Sequence, residues 1–133
     1  MNHLFADTSF FVAFLNPRDD SHALAKGYMA DFDGTLMTTV WVIAELGNYL
    51  CKGKNRKLFV PFVRDLQKDP RVAIRGLEQL CFERGLERFA RRPDKEWSFT
   101  DCISFVVMED ENASEELTTD HHFEQAGFKV LLR

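Results

Sequence analysis

The sequence has little cysteine, no glycine-rich loop and no excess of positive charge. Each shortage removes a class of function. Cys51, Cys81 and Cys102 are odd in number, widely spaced and never form CxxC. A disulfide framework and a zinc site are therefore not expected, and a reducing cytoplasm suits the chain. GxxxxGK[ST], GxGxxG and GxSxG are all absent, so the loops that cradle nucleotide phosphates and the serine-hydrolase elbow are excluded. The first apolar run, Leu4 to Leu15, contains Asp7 and has no basic flank. It is too short to span a bilayer and a poor signal peptide, so no membrane partner is expected. A net charge of -4 rules out general binding to polyanions. Contact with nucleic acid must come from a local basic patch, or from a metal that bridges phosphate to carboxylate.

What is present is a core. Apolar residues make up 45% of the 133 residues, with 13 phenylalanines. That composition is globular, and roughly two-thirds of the unfolded surface can be buried at this size. Residues 1–133 are expected to form a single domain.

Strand and helix patterns alternate. Residues 3–7 read as a short buried strand ending at Asp7, followed by a helix over 8–15 that Thr8 or Ser9 can cap. Asp20 or Ser21 can cap a helix over 22–32. A strand over 35–39 leads into a helix over 40–51, capped by Thr38 or Thr39. Residues 59–66 read as a helix with Pro61 in its first turn. A strand over 71–75 precedes a helix over 77–91, which Gly85 weakens or breaks. A helix from Phe99 to about Glu109, a strand over 115–119, a helix over 121–126 closed by Gly127 and a strand over 129–132 complete the chain. This alternation predicts an α/β fold with a parallel sheet of about five strands and helices on both faces. In such folds the site lies beyond the carboxyl ends of the strands.

The acids fall at that edge. Asp7 follows the first strand, Asp120 follows the fourth, and Asp101 opens a helix. Glu45 lies two turns into the helix after the second strand, between apolar neighbours. Carboxylates crowded together repel, and some take protons at neutral pH. Magnesium or manganese relieves that repulsion, prefers oxygen ligands and acidifies water for attack on phosphorus.

Each acid also has an ordinary explanation. Ser98 and Asp101 form an S-x-x-D capping box, with Trp97 and Cys102 placed for a hydrophobic staple. Capping is an equal alternative for Asp7 and Asp120, and solvent exposure for Glu45. Ser9 and Thr8 can cap a helix or hydrogen-bond a carboxylate or phosphate. His121 and His122 are adjacent, so they are expected to diverge on a helix and stay solvated. Lys52, Lys54, Arg56 and Lys57 crowd one loop, and Arg84, Arg88, Arg91 and Arg92 one helix. Either group can meet a phosphate backbone, although ion pairing on a solvated face suits the second.

Taken in order, 6-ADTSFFVAFL-15, Glu45 within 40-VWVIAELGNYL-50, 98-SFTDCISFVVM-108 and 117-LTTDHHFEQAGF-128 resemble the motifs of PIN-domain nucleases. The resemblance is closest to the VapC-type toxins of toxin–antitoxin pairs and spans essentially the whole chain. It implies a three-layer α/β/α fold and metal-dependent hydrolysis of RNA phosphodiester bonds. It also implies that Asp7, Glu45, Asp101 and Asp120 hold magnesium or manganese, with Ser9 supporting them. The expected partners are an RNA substrate, a small antitoxin and a second copy of the chain in a homodimer. Where some members carry another acid, this chain has His122, which leaves open how a second metal is held. Two other readings remain: a catalytically silent PIN fold used for binding, and a phospho-acceptor signalling domain. Against the latter, Asp7 has no adjacent acid, and the third strand ends in Arg75 and Gly76.

Overall fold

The fold comes from a computed structural model, which describes residues 3–76 and 78–132. Five strands form one sheet: β1 (His3–Ala6), β2 (Thr35–Thr39), β3 (Val72–Arg75), β4 (Glu115–Leu117) and β5 (Lys129–Val130). Their order is β3-β2-β1-β4-β5, and every pairing is parallel. The connections carry α1 (Thr8–Leu15), α2 (His22–Asp31), α3 (Val40–Tyr49), α4 (Arg56–Lys68), α5 (Gln79–Arg91), α6 (Phe99–Asp110) and α7 (His121–Gln125). A short 3-10 turn over Gly53–Asn55 leads into α4.

The chain steps from β1 through β2 to β3, then crosses back to place β4 on the other side of β1. With right-handed crossovers, that reversal puts helices on opposite faces of the sheet. It also opens a crevice at the carboxyl ends of β1 and β4, where ligands bind in folds of this kind. Asp7 and Asp120 sit at this crevice.

The core is aromatic and dense. Phe5, Phe10, Phe11, Phe105 and Phe123 are fully buried. Phe105 contacts Trp97, Phe123 and Phe128 at ring separations of 5.1, 5.0 and 5.7 Å. Every residue of α6 from Asp101 to Met108 is buried, so this helix is covered on all sides and forms the centre of its layer.

Two local expectations are corrected. Gly85 does not break α5. A Cβ there would lie 2.5 Å from Ile103 Cδ1, so the missing side chain lets α5 approach α6 closely. Pro61 is not in a first turn. It lies inside α4, which begins at Arg56. Pro61 is exposed, so the Lys57 carbonyl that loses its helical partner faces solvent rather than the core.

Candidate active site

Asp7 occupies the cap position of α1, but its carboxyl makes no cap bond. Capping therefore does not explain it. The side chain is 5% exposed, and Thr118 Oγ1 donates to its Oδ2 at 3.0 Å. Since the Thr118 proton goes to Asp7, the 2.9 Å contact between Ser9 Oγ and Thr118 Oγ1 has Ser9 donating. Ser9 in turn accepts from the Thr119 N–H, and Thr118 from the Asp120 N–H. A relay from α1 through the end of β4 thus orients Asp7. The expected capping roles of Thr8 and Ser9 are not observed, because Thr8 donates to Glu45 Oε1 across to α3.

Asp101 does form the predicted capping box. Ser98 Oγ accepts from the Asp101 N–H at 3.0 Å, and Asp101 Oδ2 accepts from the Ser98 N–H at 3.1 Å. The same Oδ2 lies 3.1 Å from His122 Nδ1, which is 3.4 Å from Asp120 Oδ1. Asp120 caps α7 by accepting from the His122 N–H at 2.9 Å. His122 therefore bridges two acids instead of being solvated. The two histidines also do not diverge. Their rings lie 4.7 Å apart, and donor atoms of Asp120, His121 and His122 fall within 4.8 Å of one another. At the start of a five-residue helix, both rings fold back toward the cap.

Asp7, Glu45, Asp120 and Ser9 line one open pocket of about 720 Å3, together with Thr8, Asp19 and Asp20. Asp101 is not among its lining residues, yet its charge is felt by Asp7. Burial, then repulsion from Asp101, pushes the Asp7 carboxyl up to about 7, against the Thr8 backbone and Thr118 donors. Burial also raises Asp101, with Asp120 adding to it, while Ser98 and His122 pull the other way.

Glu116 and Thr118 were not singled out in the sequence. Glu116 is fully buried on β4, and neither carboxyl oxygen has a hydrogen-bond partner. Burial first, then Asp7, Asp101 and Asp120, hold it well above the usual carboxylate range, and the nearby Asp7 backbone N–H offsets this only weakly. Its signal was available: strands of a parallel sheet are buried on both faces, so a glutamate inside one is out of place. Thr118 stood beside Asp120 in the T-T-D phrase.

The basic clusters separate. Arg84 pairs with Asp110, Arg88 with Glu109, Arg91 with Glu87 and Arg92 with Asp94. These arginines are ion-paired as expected, but only Arg91–Glu87 is the predicted i,i+4 pair: Arg84 and Arg88 reach acids of α6, and Arg92 lies just past α5. Cys51, Cys81 and Cys102 are all free thiols. Among the described residues, no helix is long and apolar enough to cross a membrane.

The molecule is a three-layer α/β protein with an acidic pocket at the carboxyl edge of its sheet. It belongs to the PIN domain family, whose sequence model matches residues 4–129. The chain is 28% identical over 125 residues to the 23S rRNA-specific endonuclease VapC20 from two strains of Mycobacterium tuberculosis. The match covers 94% of this chain and 95% of that protein. The crystal structure of Mycobacterium tuberculosis VapC20, described as a Sarcin-Ricin loop cleaving toxin, superposes with a TM-score of 0.85 over 94% of this chain and 95% of that one. VapBC2 from Rickettsia felis, bound to a promoter DNA fragment, is 17% identical with a TM-score of 0.70, covering 97% of both chains. FitAcB from Neisseria gonorrhoeae is 16% identical with a TM-score of 0.66, covering 96% of both. At those identities, the last two show the shared fold.

Proposed function

We propose that this protein is a metal-dependent endoribonuclease and the toxin of a toxin–antitoxin pair. The observation that carries the reading is Asp7, buried without a cap bond and held up to about 7 beside Asp101 and Glu45. Such a group is costly to ionise alone and is relieved by a cation. The similarity to VapC20 supplies the substrate class.

The residues fit a hard divalent ion such as magnesium or manganese, because the acids offer oxygen donors. Asp7, Asp101 and Asp120 would hold it, and Glu45 would act directly or through water. When bound, the ion neutralises phosphate charge and acidifies a water molecule. The chain's own contribution is orientation. Ser9 and Thr118 fix the Asp7 carboxylate, Thr8 fixes Glu45, and His122 keeps Asp101 and Asp120 facing each other. A small antitoxin that covers the acidic pocket, a homodimer and a cytoplasmic location complete the reading, with residues 1–133 as one nuclease domain. The phospho-acceptor alternative finds no support at β3, whose last residue, Arg75, is ion-paired with Glu78 and Glu111.

The test is cleavage of a mixed RNA pool by purified protein, with magnesium or manganese against EDTA, and Asp101→Ala alongside. Cleavage that needs metal and disappears in the variant is expected. Intact RNA under every metal would refute the enzymatic reading and leave a binding role.

A further inference from the structure

A second groove, of about 610 Å3, opens beside the acidic pocket. Its lining includes Val12, Leu15, Arg18, Tyr49, Lys54 and Lys57. Val12 and Tyr49 line both spaces, so the two adjoin. Tyr49 is 62% exposed. It stands one turn after Glu45 on the same face of α3, about 6 Å along the axis. An aromatic ring so exposed gains nothing for the core.

The arginine beside this groove differs from those elsewhere. Arg71, Arg75, Arg84, Arg88, Arg91 and Arg92 all hold carboxylates. Arg56 and Arg64 hold a carbonyl and an amide. Among the described residues, Arg18 is the one arginine whose guanidinium has no partner, and Lys54 and Lys57, like Lys26, Lys52, Lys68 and Lys95, have no ion pair. Arg18, Lys54 and Lys57 are exposed. A chain of net charge -4 thus leaves uncompensated positive charge beside its acidic pocket. Surfaces that hold single strands combine such cations with an aromatic platform.

We propose that a single RNA strand, with its reacting phosphate in the acidic pocket, runs over Tyr49 into this groove, where a base stacks on the Tyr49 ring and Arg18, Lys54 and Lys57 hold the flanking phosphates. The assignment rests on the nuclease reading. It adds the direction in which the strand leaves the site and the side chains that grip it. Unpaired cations favour a polyanion over a protein helix in this groove.

The experiment measures binding of a labelled single-stranded RNA of mixed sequence to the full chain carrying Asp7→Asn, in magnesium, by fluorescence anisotropy at several salt concentrations. Joint replacement of Arg18, Lys54 and Lys57 by alanine should weaken binding at least tenfold. It should also lower the salt slope by about 2, since each phosphate contact on a single strand contributes roughly 0.7. Tyr49→Ala should weaken binding by about tenfold, and Tyr49→Trp should restore it. All four side chains are exposed, so melting temperatures should match the parent. Unchanged affinity and slope in both variants would overturn the assignment and leave the groove to a protein partner. The parent with Asp7 intact is assayed for cleavage in parallel. If it cleaves RNA while the groove variants bind normally, the groove assignment alone fails. If it neither binds nor cleaves, the nuclease reading falls and takes the groove with it.

Discussion

Replacing Asp7 with asparagine should make the metal-free protein more stable, by an amount that depends on pH. The carboxyl titrates at 3.8 when unperturbed and at about 7 in the folded chain. At 1.36 kcal/mol for each pH unit, ionised Asp7 costs the fold about 4 kcal/mol. The sign follows from proton counting. Below pH 3.8 the group is protonated in both states and costs nothing. Between 3.8 and about 7 the unfolded chain has lost the proton while the folded chain keeps it, so stability falls as pH rises. Above 7 the loss is complete. An amide at this position keeps an oxygen for the Thr118 hydroxyl and carries no charge. In EDTA, urea unfolding at pH 8 should therefore show Asp7→Asn more stable by up to about 4 kcal/mol. At pH 5 the gap should shrink to less than half of that. Asp101 and Glu116 are also raised, Glu116 partly by Asp7 itself, so the gap reports Asp7 together with its repulsion of these neighbours. A variant no more stable than its parent at pH 8, or a gap that ignores pH, would refute the account of a strained carboxylate. Magnesium should narrow the gap by stabilising the parent alone.

Two further substitutions probe the packing beneath the site. Glu116→Leu removes a buried carboxyl whose oxygens have no partner, so the urea midpoint should rise by the equivalent of about 1–3 kcal/mol; a fall would reveal that the carboxyl is held. Gly85→Ala should destabilise by about 1–3 kcal/mol despite the higher helix propensity of alanine, because the new methyl meets Ile103 Cδ1 at 2.5 Å. Thermal unfolding decides it, and a raised melting temperature would mean that α5 and α6 part without cost.

The parallel sheet, the helix order and the Ser98–Asp101 capping box were legible because they rest on short-range signals: apolar runs, cap residues and spacing. Thr39 capping α3 at 3.1 Å was read the same way. Pro61, Gly85 and the two histidines were misjudged because their outcome depends on where the chain turns or on what packs opposite. No local pattern says that Pro61 faces solvent, or that Gly85 meets Ile103. The acids at the sheet edge could be named from sequence. Their differences could not, since capping looks identical on paper for Asp7 and Asp120. Only tertiary structure shows that Asp120 makes its cap bond and Asp7 does not. The family motifs placed the acids, whereas the relay through Thr118 and the load on Glu116 come from the pairing of β1 with β4.

That pairing also has a consequence in time. The hydrogen bond that fixes Asp7 comes from a residue 111 positions later, and β1 borders β4 along its length. Contacts so distant in sequence form late. While the chain is being synthesised, its first strand is present but lacks the neighbour that orients its carboxylate. The acidic pocket takes its shape only once residues 115–120 have left the ribosome. A pocket built this way cannot hold its acids together until both sides of that pairing are free to fold.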